Sequence, residues 1–159
     1  MDLELTKAVG VSNYGAKQLE EAQALLGDIP IAANQIKYSM LDRKAEEEDG
    51  LVSLAADMDI QLVAYSPLEG GKLTANGAAK DPNNEKLGQL LKVLEFIGVV
   101  NGGKTVTQVA LNYIVQKGLI PIPGCKGVAQ AEEHAGVLGW DLDENEMAVI
   151  AEKLTALDL

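Results

Sequence analysis

Two rhythms alternate along this chain. Short apolar runs occupy residues 7–11 (KAVGV), 31–36 (IAANQI), 60–65 (IQLVAY) and 119–122 (LIPI). Their length and the turn residues that bound them predict strands, and the third, almost continuously apolar, suits a strand covered on both faces. Between the runs, apolar residues recur three and four apart, which predicts helices. The first spans 15–26, with Leu19, Ala22 and Leu26 on one face, and the second spans 46–58. Two more span 85–99, with Leu87, Leu90, Leu91, Leu94 and Ile97 inward, and 105–117, with Val106, Val109, Ala110, Tyr113 and Ile114 inward. Helices over 130–138 and 143–154 close the chain. Ser12 or Asn13 is the expected cap of the first helix, Thr105 with Gln108 forms a capping box, and Asp143 caps the last helix.

Four strands, each followed by helix, predict an α/β fold with a parallel sheet covered by helices and right-handed crossovers. Ligands bind such sheets at the carboxyl ends of the strands. Those ends read Ser12-Asn13, Gln35 with Tyr38, Tyr65-Ser66-Pro67, and Gly124-Cys125-Lys126. Singly each is an ordinary cap or turn, but four polar ends on four apolar strands favour a binding face. Residues 66–84 (SPLEGGKLTANGAAKDPNN) form a connection longer than most loops, which suggests a functional or mobile segment.

Composition narrows the ligand. The 159 residues fit one domain, residues 1–159, with 47% hydrophobic and 23% charged residues in a globular balance. Thirteen basic against 24 acidic residues leave a net charge of −11, which argues against nucleic acid or an anionic membrane as a partner. A local lysine can still hold one small phosphate ligand. The single cysteine, Cys125, permits no intrachain disulfide and favours a reducing compartment. No run of roughly 18 apolar residues is present, and the start MDLELTKAVG has neither a signal pattern nor transit-peptide chemistry. A cytoplasmic location is therefore expected, or a plastid one with a transit segment removed. The only histidine, His134, has no second ligand at metal-binding spacing, so no metal site is expected. Cys125 reads best as a small loop residue, Tyr113 as core, and the acidic run 45–49 as a solvated helix start. Tyr38 stands at even odds between the border of the pocket and the core.

The ordered segments VGVSNYG, NQIKYS, VAYSPLEGG, GKTVTQVALNYIVQKG and IPIPGCKGVAQAEEHAGVLGW resemble the carboxyl-terminal half of an aldo-keto reductase. The nearest group includes plant chloroplast aldo-keto reductases, pyridoxal reductases and potassium-channel β subunits, and the resemblance runs over residues 8–150. It implies half of a (βα)8 TIM barrel and NADP(H) as cofactor, with hydride passing to an aldehyde or ketone. On the matching positions, it implies that Ser12, Asn13 and Gln35 hold the nicotinamide carboxamide, whose donor and acceptor an Asn or Gln can both satisfy. Tyr65 would lie by the ring, and Ser66, Pro67 and Leu68 by the pyrophosphate. Gly124 and Cys125 would allow close approach at a helix start, Lys126 would meet the 2′-phosphate, and Gln130, Glu133 and His134 fall at the adenine contacts. His134 stands where the family commonly has Asn. The basic segment usual in the long loop is replaced by LTANGAAKDPNNEK, a change that weakens or removes part of the cofactor clamp.

The resemblance also implies an absence. The family's catalytic Asp, Tyr, Lys and His come from the first four strands of the barrel, and the motifs here are those of the last four. No catalytic residue is therefore expected in this stretch, and inactivity in carbonyl reduction alone is expected with it. Two free strand edges predict a homodimer or a complementary half-barrel chain, with a small carbonyl substrate only once the barrel is complete. The alternative is a non-catalytic module that senses NADP(H) or scaffolds a partner.

Overall fold

Val9–Ser12 (β1), Ile31–Lys37 (β2), Gln61–Tyr65 (β3) and Ile120–Ile122 (β4) pair in parallel, in the order β1-β2-β3-β4. The computed structural model describes residues 5–47 and 50–159. Ala16–Leu26 (α1) follows β1, and Lys44–Glu47 (α2) and Leu51–Asp57 (α3) follow β2. After β3 come a 3-10 turn at Glu69–Gly71, then Gly77–Lys80 (α4), Glu85–Val100 (α5) and Val106–Gln116 (α6). Val128–Ala135 (α7) and Glu144–Leu157 (α8) follow β4. The four strands and the helices α1, α5, α6 and α8 are those the apolar rhythms predict.

Register sorts the strand residues onto two faces. Val11 lies opposite Asn34, Asn34 opposite Leu62, and Ile36 opposite Ala64; these side chains face the helices and, apart from half-buried Val11, are buried. The alternate residues line the open face: Ser12 beside Gln35 beside Val63 beside Ile120, and one pleat on, Lys37 beside Tyr65 beside Ile122. Ile120 and Ile122 are 51% and 42% exposed there, apolar groups on a sheet face that nothing among the described residues covers.

The core lies between the sheet and the helices. Leu87, Leu90, Leu94 and Ile97 of α5 meet Val106, Val109, Ala110 and Ile114 of α6, all of them buried as their spacing predicts. Gly98 makes the close approach possible: a Cβ there would sit 2.0 Å from the Lys104 carbonyl oxygen. Its own carbonyl accepts from the Gly103 and Lys104 amides at 3.1 and 2.8 Å. Asn112, fully buried in α6, donates to the Val137 and Trp140 carbonyls at 3.2 and 2.9 Å and accepts from the Leu142 amide at 3.0 Å. One amide thereby fixes the link between α7 and α8.

Four local expectations change. Neither Ser12 nor Asn13 caps α1: Ser12 is still strand, and Asn13 turns the chain at φ 58. Gly15 is the cap, its amide held by Gln18 Oε1 at 3.0 Å. The helix expected over 46–58 is two short helices, because Gly50 adopts φ 60 ahead of α3; residues 48 and 49, with that part of the acidic run, lie outside the described residues. α7 begins at Val128 behind extended Gly127 and ends at Ala135, short of Leu138. The 66–84 connection is folded throughout much of its length by the 3-10 turn and α4. The capping box of Thr105 with Gln108 forms as expected, and Asp143 caps the last helix as expected, with Glu146 completing a second box.

Candidate functional site

The first group of candidate residues lies on the open face where β1 and β2 end. Ser12 and Gln35 are register partners, and Ser12 Oγ donates to the Gln35 carbonyl at 3.1 Å. The Asn13 amide donates to the same carbonyl at 2.8 Å, which places the left-handed turn of Asn13 against β2. Asn34, buried on the helix side, clasps the next residue by donating to the Tyr14 carbonyl at 2.8 Å. Thus a core amide fixes the turn, while the Ser12, Asn13 and Gln35 side chains stay exposed to a ligand.

The second group surrounds a cavity of about 740 Å³ beyond the ends of β3 and β4. Nine of the candidates line it: Ser66, Pro67, Leu68, Gly124, Cys125, Lys126, Gln130, Glu133 and His134. Ser12, Asn13, Gln35 and Tyr65 lie outside it. Tyr65 links the two groups, since it ends β3 on the open face and leads directly into Ser66.

Local chemistry explains the cavity's walls. On one side, the 66–71 turn is wound by amides of Glu69 onto Ser66, and of Gly71 and Leu73 onto Leu68, at 3.0, 2.9 and 3.2 Å. Ser66 and Glu69 adopt φ 54 and 46, an unusual conformation for residues with a Cβ. On the other side, Gln130 Oε1 accepts from the Lys126 amide at 2.7 Å, fixing the approach to the amino end of α7, where unsatisfied N–H groups favour anions. Glu133 accepts from Thr105 Oγ1 at 2.7 Å, and its carbonyl accepts from Gln108 Nε2 at 3.0 Å, so α7 is tied to α6 at the cavity floor. Cys125 is exposed and its thiol donates to the Gly127 carbonyl, a loop contact.

Charge at the cavity opposes that of the chain. Lys126 and Lys80 both line it, in a protein whose net charge is −11. Lys80 comes from α4, within the long loop where the sequence carries no basic segment, and its Cε lies 3.7 Å from where a Gly71 Cβ would sit. Lys80 is not among the residues expected from the sequence, because its reach depends on the fold of that loop. Asn34 and Asn112 are not among them either, although a lone amide among helix-facing apolar positions is a usable signal for both. Tyr38, fully buried, donates to Glu46 and belongs to the core side of the sheet rather than to this cavity.

Among the described residues no cluster of three or more His, Cys, Asp or Glu is arranged to hold a metal ion, and no helix is long and apolar enough to cross a membrane.

Comparison with known proteins places these features in a family. The Aldo/keto reductase family model matches residues 5–155. A chloroplastic pyridoxal reductase of Arabidopsis thaliana is 35% identical over 89% of this chain and 42% of its own length. Deoxymugineic acid synthase 1 of Oryza sativa subsp. japonica is 30% identical over 94% of this chain and 42% of its own. The thermostable aldo-keto reductase Tm1743 superposes with a TM-score of 0.78 at 29% identity, covering 96% of this chain and 50% of its own. An aldo-keto reductase of the silkworm Bombyx mori, solved with NADPH, gives 0.75 at 29% identity, covering 96% and 43%. The chain thus spans about half the length of the relatives it matches, and its four strands and helices match half of their (βα)8 barrel.

Proposed function

Because this chain belongs to the aldo/keto reductase family, we propose that it forms the NADP(H)-holding half of a carbonyl-reducing barrel. The observation that carries this reading is the cavity at the strand ends, where Lys126 and Lys80 line the same space as the 66–71 turn in an otherwise acidic protein. Its continuation along Tyr65 to Gln35 and Ser12 suits a long dinucleotide better than a compact phosphate. NADPH bound here supplies a hydride. The residues of this chain bind and orient it: Lys126 for the 2′-phosphate, Lys80 and the 66–71 turn for the pyrophosphate, and the Ser12, Asn13 and Gln35 amide and hydroxyl groups for the carboxamide. Gln130, Glu133 and His134 border the adenine, and Gly124 and Cys125 let it approach the backbone.

Carbonyl reduction also needs a proton donor beside the hydride acceptor. We assign that donor to the other half of the barrel, whether joined to this stretch in a longer chain or brought by a second chain. Two copies of this half, paired as a homodimer, would cover the open face but would duplicate the cofactor side. A complementary half is therefore the catalytic arrangement, with a small aldehyde or ketone as substrate. The Arabidopsis relative is chloroplastic by name, and a plastid is a proposed location for this chain beside the cytoplasm.

Titration with NADPH, followed by addition of a small aldehyde with and without a complementary half-barrel, tests the proposal. Saturable binding with aldehyde-dependent NADPH oxidation only in the completed barrel supports it. Binding without turnover in either case favours a module that senses NADP(H) or scaffolds a partner. No binding in either case refutes both.

A further inference from the structure

Lys37 ends β2 on the open face, opposite Tyr65, and reaches across the sheet to the turn that follows β3. Its Nζ lies 3.2 Å from Glu69 Oε1 and 2.9 Å from Asp42 Oδ2. The same Glu69 oxygen accepts from Ser39 Oγ at 3.1 Å, and Ser39 is fully buried, with its oxygen also accepting from the Leu41 amide at 3.1 Å. Ser39 and Asp42 exchange backbone hydrogen bonds at 3.1 and 3.2 Å, so this partner is itself a closed turn. Glu69 is the residue that carries φ 46, a conformation that costs energy in any side-chain-bearing residue unless its surroundings hold it. Two independent groups on a rigid neighbour grip the carboxylate of that one strained residue.

We infer that Lys37 is a positioning residue: through Glu69 it holds the 66–71 turn in the shape that lines the cavity. It touches no ligand in this role. Without Lys37, Glu69 keeps only the Ser39 hydroxyl beside the turn's own hydrogen bonds, and it relaxes toward negative φ. The Leu68 carbonyl, which accepts from both Gly71 and Leu73, then loses its fixed direction. The ligand consequence rests on the nucleotide-binding reading above; the structural consequence does not.

The test compares Lys37→Met, Lys37→Arg and Glu69→Gln with the parent protein in two measurements. Amide hydrogen exchange needs no ligand: Lys37→Met and Glu69→Gln are expected to speed exchange at Gly71 and Leu73 about tenfold, and Lys37→Arg to restore protection. In titrations, the same two variants are expected to weaken NADPH and NADH by one common factor of about tenfold, because the turn meets the part the two cofactors share. Combining them should weaken binding no further, since each breaks the same pair. Unchanged exchange in Lys37→Met, or an arginine variant no better protected than the methionine one, overturns the inference. A parent protein that binds neither nucleotide overturns the nucleotide reading alone, and the exchange result still decides the clasp.

Discussion

The side-chain amide of Asn34 holds Tyr14 by both its backbone groups: Nδ2 donates to the Tyr14 carbonyl at 2.8 Å, and Oδ1 accepts its N–H at 3.4 Å. Asn34 is wholly buried, so water cannot replace either bond. Replacing it with alanine leaves the two groups short of partners in a dry site and should cost about 2 kcal/mol, which is roughly 5 °C in melting temperature for a protein of this size. Because Ser12 and Asn13 immediately precede Tyr14, Asn34→Ala should also weaken NADPH severalfold. Thermal unfolding and a nucleotide titration on the same sample measure both.

The two cavity lysines should separate by cofactor. Lys126→Ala removes the group assigned to the 2′-phosphate, and a lost charge-assisted bond of about 1.5–3 kcal/mol corresponds to roughly tenfold to hundredfold weaker NADPH with little change for NADH. Lys80→Ala, against the 66–71 turn, should weaken both cofactors alike. Equal weakening of both by Lys126→Ala would refute its phosphate role.

Within α5, two glycines make opposite predictions. Gly98→Ala places a methyl 2.0 Å from the Lys104 carbonyl oxygen, so α5 and the turn into α6 must part; overpacking of this kind costs about 3 kcal/mol. Gly88, in the same helix, has nothing within 4 Å of its added Cβ. Gly88→Ala should therefore stabilise by up to about 1 kcal/mol through helix propensity. Urea unfolding midpoints for the pair provide the check.

Lys117 gives a pH signature. Its Nζ lies 2.9 Å from Glu46 Oε2 and 5.6 Å from the centre of the Tyr113 ring. Burial acts to lower its pKa, but the hydrogen bond to Glu46 and the fields of Tyr113 and Glu46 together raise it above the ordinary 10.5. A raised lysine pKa means that the folded state binds the proton more tightly than the unfolded state. The stabilisation is thus complete below 10.5 and is lost as pH rises through the folded value. With both side chains partly exposed, it amounts to about 1 kcal/mol. Parent and Lys117→Met should differ in melting temperature at neutral pH, and the gap should close as the pH rises above 10.5.

The sheet was legible because each strand is a compact apolar run and each long helix repeats its leucines at the right interval. Leu87, Leu90, Leu94 and Ile97 on α5 could hardly lie anywhere but inward. What escaped was what depends on backbone turns and distant partners. Gly50 breaks a helix by adopting a conformation that spacing does not reveal, and Asn13 leaves its expected capping role because the β2 carbonyl of Gln35 claims its amide. At the site, the motifs marked nine of the residues that line the cavity, and four more that lie outside it. The supports Asn34, Lys37 and Glu69 stayed hidden, because each acts on a neighbour set by strand register rather than by sequence distance.

Isothermal titration of the protein with NADPH, and separately with NADH, shows whether this half-barrel holds the cofactor. Saturable binding at one site per chain is expected, tighter for NADPH, with the preference lost in Lys126→Ala. Absence of saturable binding, or a preference that survives that substitution, would overturn the proposed role.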